Sequence, residues 1–263
     1  MSPTGDPFAH RILGTTGLRV GRLGVASSYG VPGSAVEQAF EQGVNYLYWG
    51  TRRTGGFGQA IRNLSRQRDK LVLVIQSYSR IAALVGPSIE RALRQVKLEY
   101  ADVLLLGLWN KPVAGRILDA SRKLKERGLV RHLAVSSHHR PLVGRLAAER
   151  TFDVLHFRYN AIHPGAESDI FPQLPRQNRP GMVAYTATSW GQLMTPKKIP
   201  SGEQVPTAAD CYRFVLSRPD VDVCMTGPAS AAQMQEALRA LTLGPMSEAE
   251  LAWMRRVGAA KHG

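Results

Sequence analysis

The chain has 263 residues, with 34 Lys and Arg against 20 Asp and Glu, a formal charge of +14 at pH 7, and two cysteines. That length fits two average domains or one large α/β barrel, and it can bury a core that needs neither disulfides nor metals. Cys211 and Cys224 are too few for a disulfide framework and read as small buried apolar residues in a reducing compartment.

The first ten residues, MSPTGDPFAH, contain no apolar core of a signal peptide. No apolar run approaches the ~18 residues of a membrane span. The expectation is a soluble, cytoplasmic protein with no membrane partner. A positive balance of this size attracts anions generally. The basic residues are nevertheless spread along the chain, and the densest set, Arg122, Lys123, Lys125 and Arg127, falls on one predicted helix. No nucleic-acid-binding motif accompanies them, so specific nucleic-acid binding is not expected.

In chain order, residues 11–30 read as a hairpin turning at Thr16-Gly17, followed by a buried strand at Leu23 to Ala26. Ser34 to Glu37 (SAVE) has the spacing of a capping box. Gly43 closes that helix as a C′ residue, and the strand Val44 to Trp49 follows. The pattern then repeats. A helix near Gly58 to Ser65 leads to Leu71 to Ile75, and one near Ser88 to Leu98 leads to Val103 to Leu106. A helix near Gly115 to Arg127 precedes Leu133 to Val135, and one near Leu142 to Glu149 precedes Val154 to Phe157. A proline-broken segment near Glu167 to Leu174 precedes Met182 to Tyr185, and a helix near Thr207 to Ser217 precedes Val221 to Met225. Ser230 to Gln233 (SAAQ) and Ser247 to Glu250 (SEAE) open two last helices.

Apolar runs buried on both faces and alternating with helices indicate a parallel sheet. Eight such units in one domain predict a closed (β/α)₈ TIM barrel with an N-terminal β-hairpin and a C-terminal helix. The alternative is an open doubly wound sheet. It calls for GxGxxG after an early strand, and Gly55-Gly56-Phe57-Gly58 lacks that spacing. The long irregular segment from Thr186 to Pro206 has the length of a functional loop.

Seven segments in order, RILGTTGLRVGRLGV, GVNYLYWG, LEYADVLLL, VRHLAVSS, FRYNAIH, MVAYTATSWGQL and VDVCMTGPASAAQMQEAL, resemble the aldo-keto reductase family. The likeness runs from about Arg11 to Leu241. It implies a (β/α)₈ barrel that reduces aldehydes and ketones with NADPH laid across its C-terminal face. The family's chemistry rests on four side chains. A tyrosine protonates the carbonyl, a lysine held by an aspartate lowers that tyrosine's pKa, and a histidine orients the carbonyl.

This sequence departs at all four positions. The aspartate of a pattern like GVNFFDTAxxYG falls on Tyr48 and the tyrosine on Arg53; the lysine falls on Tyr78, or on Ser77 if the register slips by one, and the histidine on Gly107. The chain therefore resembles a divergent member without the tetrad, and ordinary carbonyl reduction is in doubt. Cofactor positions are better kept. The resemblance implies that Ser136, Ser137, His156 and Tyr185 meet the nicotinamide end of NADP or NAD, and that Gly227, Ser230, Gln233 and Glu236 meet the adenosine end. Ser230 stands where the family has a cation for the 2′-phosphate, so weak selectivity between NADPH and NADH is expected. Lys197 and Lys198 on the long loop are the alternative source of charge.

Arg52 and Arg53 could hold a small anionic ligand, since guanidinium suits bidentate anion recognition. Tyr48 and Tyr78 could be replacement acids if a cation such as Arg53 lowered a phenol's pKa, or they could fill vacated space with the hydroxyl satisfied. Adjacent His138 and His139 lack the partners of a metal site. Trp109 and Trp190, just after strands, read as pocket walls, and Trp253 as packing. Three functions compete: an oxidoreductase with a remodelled site, a degenerate barrel that binds a nucleotide or anionic metabolite as a sensor or partner subunit, and a lyase or isomerase reusing the barrel mouth. Only the site can decide among them.

Overall fold

The computed structural model describes residues 8–50 and 53–262. A short antiparallel hairpin, β1 (Arg11–Ile12) and β2 (Arg19–Val20), precedes eight strands. These are β3 (Leu23–Ala26), β4 (Tyr46–Trp49), β5 (Val72–Ser77), β6 (Ala101–Leu106), β7 (Val130–Ser137), β8 (Val154–Arg158), β9 (Gly181–Tyr185) and β10 (Val223–Thr226). They close in sequence order into a parallel barrel, with β10 pairing β3. The connecting helices are α1 (Gly33–Glu41), α2 (Gly55–Asn63), α3 (Ala82–Val96), α4 (Gly115–Glu126), α5 (Arg140–Glu149), a short α6 (Ala166–Asp169) and α7 (Ala208–Leu216). Helices α8 (Ala231–Leu243) and α9 (Glu248–His262) follow the last strand. The barrel, the hairpin and the terminal helix agree with the sequence reading.

Strand alternation divides the core in two. Val72, Val74, Val103, Leu105, Ala134, Val154, Val183 and Val223 point inward and pack together, with Leu13 and Val20 among them. Leu13 follows β1 and Val20 ends β2, and both are fully buried, so the hairpin plugs the N-terminal end. The alternate residues, including Leu47, Leu73, Leu104, Val135 and Leu155, pack outward with the helices. The N-terminal ends of the strands also carry buried charge. Asp222 is fully buried; it accepts from Arg179 at 2.7 and 2.6 Å and from the Met182 amide at 2.8 Å. Stability contacts thus gather at the bottom of the barrel, leaving the C-terminal mouth for ligands, the usual division in this architecture.

Two local expectations need correction. The SAVE capping box does not form: α1 begins one residue before Ser34, its N-cap is Pro32, and the Pro32 carbonyl accepts from the Ala35 and Val36 amides. The Gly33 end packs so closely on Gly56 of α2 that a Cβ on Gly33 would lie 2.6 Å from the Gly56 carbonyl oxygen. This contact outweighs the Ser-x-x-Glu spacing. Helix α3 starts at Ala82, six residues before Ser88, and carries Pro87 inside it. Val85 and Ile89 are buried on its inner face, so tertiary packing carries the helix across the proline. The SEAE box does form, with the Ser247 amide donating to Glu250 at 2.7 Å and the Glu250 amide to Ser247 at 3.3 Å. Among the described residues no helix is long and apolar enough to cross a membrane.

Candidate active site

A cleft of about 960 Å³ opens at the C-terminal mouth and extends over the β9–α7 loop to the start of α8. Its size is at the upper end of small-molecule sites. The inward register supplies its floor. Tyr48 ends the inward row of β4, Gln76 that of β5, Ser136 that of β7, His156 stands on β8, and Tyr185 ends β9.

His156 and Tyr46 form the deepest polar contact, 2.8 Å between the phenol oxygen and Nε2, with both residues buried. Burial pushes the Tyr46 phenol up and holds the His156 imidazole down to about 3, so both are neutral. A neutral phenol and a neutral imidazole can share this bond in either direction, and the tautomer of His156 sets which of them donates.

One layer up, Tyr48 lies on the cleft wall beside Tyr78. Burial raises the Tyr48 pKa first, and the neighbouring Tyr78, Tyr46 and Tyr29 raise it further. The groups acting most strongly on this phenol therefore oppose ionisation, the reverse of a cation-tuned acid. Arg53 does not play the tuning part: it is off the cleft wall, adopts a left-handed backbone (φ 52) and donates to the Tyr29 carbonyl at 3.3 Å. Arg52 lies outside the described residues.

Tyr78 is on the wall and half exposed. Ser77 faces away, its hydroxyl near Ser88 of α3 and the Ser79 amide. The inward residue between the outward-packed Ile75 and Ser77 is Gln76, which the sequence reading passes over because the apolar run ends at Ile75. The missed signal is the period: Val72, Val74 and Gln76 share one face. Gly107 lies beneath Gln76 and Tyr78. A Cβ there would collide with Gln76 Nε2 and come within 2.7 Å of two Tyr78 ring carbons.

The cofactor-type positions divide. Ser136 lines the cleft; its hydroxyl accepts from the Leu108 amide at 3.3 Å. Ser137 is not on the wall and acts from behind, its carbonyl accepting the Tyr185 hydroxyl at 2.9 Å. Burial is also the main influence on the Tyr185 phenol, raising its pKa, while the charge of Arg158 opposes it. At the far end Gly227, Gln233 and Glu236 line the cleft. Ser230 caps α8 instead, accepting the Gln233 amide at 3.2 Å, and the Gln233 side chain accepts the Ala229 amide at 2.7 Å.

Sequence reasoning also missed Arg239, on the wall beside Glu236 and paired with it at 2.8 Å. Lys197 and Lys198 are not on the wall. Trp190 is, half exposed, within a loop where Thr186, Ser189 and Trp190 all have positive φ. Trp109 does not line the cleft as expected: its ring is covered by the Arg80 guanidinium at 4.0 Å and packs toward the core. His138 lines the cleft against Tyr185, while His139 caps α5. Among the described residues no group of three or more His, Cys, Asp or Glu is placed to hold a metal.

A closed parallel barrel with a cleft at the strand C-termini and a hairpin at the opposite end defines a (β/α)₈ barrel protein with its candidate site at the mouth. Residues 35–203 match the aldo/keto reductase family, and the chain belongs to that family. It is 25% identical over 154 residues to methylglyoxal reductase DkgA of Yersinia pestis. That match spans 57% of this chain and about half, 54%, of the reductase. Among solved structures, the aldo-keto reductase AKR11C1 from Bacillus halodurans in its holo form superposes with a TM-score of 0.75 at 18% identity, covering 95% of this chain and 96% of that one. An aldo/keto reductase from Klebsiella pneumoniae in complex with NADP and acetate gives 0.76 at 20% identity with the same coverage.

Proposed function

We propose that the protein is a nicotinamide-dinucleotide-dependent oxidoreductase whose barrel mouth has been rebuilt from uncharged hydrogen-bonding groups. The observation that carries this reading is the continuous cleft. It joins an inward polar floor of Ser136, His156 and Tyr185 to the first turns of α8, the span an extended dinucleotide would need. When bound, the cofactor would supply or accept hydride at the floor. Ser136 and the imidazole of His156 would orient the nicotinamide amide, and Tyr185 would present its ring to the nicotinamide. Gly227, Gln233 and Glu236 would border the adenosine end, with Arg239 beside them. The family relationship and the NADP complex of the Klebsiella relative support the same assignment. NADP and NAD should bind with similar affinity, because Arg239, the one Lys or Arg on that wall among the described residues, is already paired with Glu236.

Standard aldehyde reduction is slow in this reading, since the main influences on Tyr48 among the described residues, burial and the neighbouring tyrosines, all raise its pKa. That same observation favours a second reading, a barrel that binds the dinucleotide as a sensor without turnover. Free, buried Cys211 and Cys224 suit a reducing compartment such as the cytoplasm under either reading. The test is a fluorescence titration with NADPH and NADH, followed by absorbance at the nicotinamide band with hydroxyacetone present. Saturable binding with slow oxidation supports the enzyme, saturable binding without oxidation supports the sensor, and absence of binding rejects both.

A further inference from the structure

We propose that Gln76 anchors the uncharged oxygen of a hydroxyl- or carbonyl-bearing ligand at the cleft floor, supplying from β5 the hydrogen bond that the family's histidine would supply from β6. The inference rests on the cleft being the ligand site of the preceding reading, and three observations carry it.

First, Gln76 is only 8% exposed, yet it lines the cleft and its Oε1 is buried without a partner. Buried polar groups are nearly always paired, and one left open at a cavity wall points to a partner that enters from the cavity. Second, the space for a side chain on β6 is already taken. Gly107 is the residue that lets Gln76 Nε2 and the Tyr78 ring occupy it, because any Cβ there would strike both. The loss of a side chain at 107 and the presence of an amide at 76 are therefore one rearrangement.

Third, the described residues that line the floor around Gln76 are uncharged. Tyr48, Tyr78, Ser136, His156 and Tyr185 share the floor, while the charged wall residues, Glu236 and Arg239, stand at the α8 end and pair with each other. A carboxylate placed on this floor would lose its hydration without gaining a counter-charge from any described residue that lines it, since Arg158, whose charge reaches Tyr185, is off the wall. A carbonyl can accept from Nε2 and a hydroxyl can donate to Oε1, so the amide suits both members of a carbonyl–alcohol couple.

Hydroxyacetone and pyruvate are similar in size and differ in charge. Saturation-transfer NMR with each, with and without NADPH, reads ligand contact, and a separate fluorescence titration reads NADPH. The wild type is expected to show transfer to hydroxyacetone and far less to pyruvate. Gln76→Leu should weaken hydroxyacetone about tenfold or more, the worth of one or two hydrogen bonds. It should leave NADPH affinity within about twofold and the melting temperature unchanged or higher, since it removes an unpaired buried group. Gly107→Ala, which displaces Gln76, should weaken hydroxyacetone in the same direction. Hydroxyacetone transfer that survives Gln76→Leu, a preference for pyruvate, or no hydroxyacetone transfer in the wild type would overturn the assignment. Gln76-dependent hydroxyacetone contact without NADPH binding would uphold it and reject the cofactor reading instead.

Discussion

Tyr48 and His156 show how environment, not residue type, decides what a polar side chain can do in this mouth. A phenol becomes a useful acid near neutral pH only when a neighbouring cation lowers its pKa, and here burial and three tyrosines push Tyr48 the other way. Tyr48→Phe is therefore expected to leave aldehyde-dependent NADPH oxidation within about threefold of wild type, against the ~10²–10⁴ loss that removing a positioned acid brings. A steady-state assay distinguishes the two. Arg53→Ala should change that rate as little, because Arg53 is off the wall. His156 has the opposite burden, its imidazole held from 6.5 down to about 3. The unfolded chain takes up that proton first, so the contribution of His156 to stability is complete above pH 6.5 and declines as pH falls toward 3. Unfolding free energies from urea titrations across that window should fall by up to about 1.4 kcal/mol per pH unit from this group. His156→Gln should flatten that part of the curve.

Elements differ in how well the sequence announces them. The eight strands were legible because each is a short apolar run between helices, and their order required only the parallel-barrel rule. Helix starts were less so: Ser34 has the right spacing for a cap, yet Gly33 against Gly56 fixes α1 one residue earlier. The candidate site was legible where it depends on motif position, as for His156, Tyr185 and Gln233. It was obscure where it depends on register, as for Gln76, or on a helix turn beyond the motif, as for Arg239. That arginine gives α8 a latent cation, neutralised by Glu236 at 2.8 Å. Glu236→Gln is expected to release it and to favour NADPH over NADH by about tenfold, the effect of one charge-assisted contact to a phosphate. Paired calorimetric titrations measure that ratio; equal affinities in the variant would remove Arg239 from the cofactor end.

At the scale of the whole molecule, the barrel separates its stabilising charges from its chemistry. Asp222 joins Arg179, the Met182 amide and, at 3.6 Å, Arg11 near the N-terminal ends of the strands. Asp222→Asn takes the counter-charge from the partly exposed Arg179 and Arg11 and weakens their hydrogen bonds, and is expected to cost about 1–3 kcal/mol in chemical denaturation. Under native conditions it should spare NADPH binding, because the cleft lies at the opposite end. The mouth is thereby free to carry Tyr48, Arg53, Tyr78 and Gly107 at the positions aligned with the family's tetrad without loss of the fold. The most direct test of that account is a fluorescence titration of the wild-type protein with NADPH, using energy transfer from Trp190 on the cleft wall and a Trp190→Phe control. The account predicts saturable binding, with a signal that falls in the control while affinity is kept. No saturable binding, or binding whose signal is indifferent to Trp190, would contradict it.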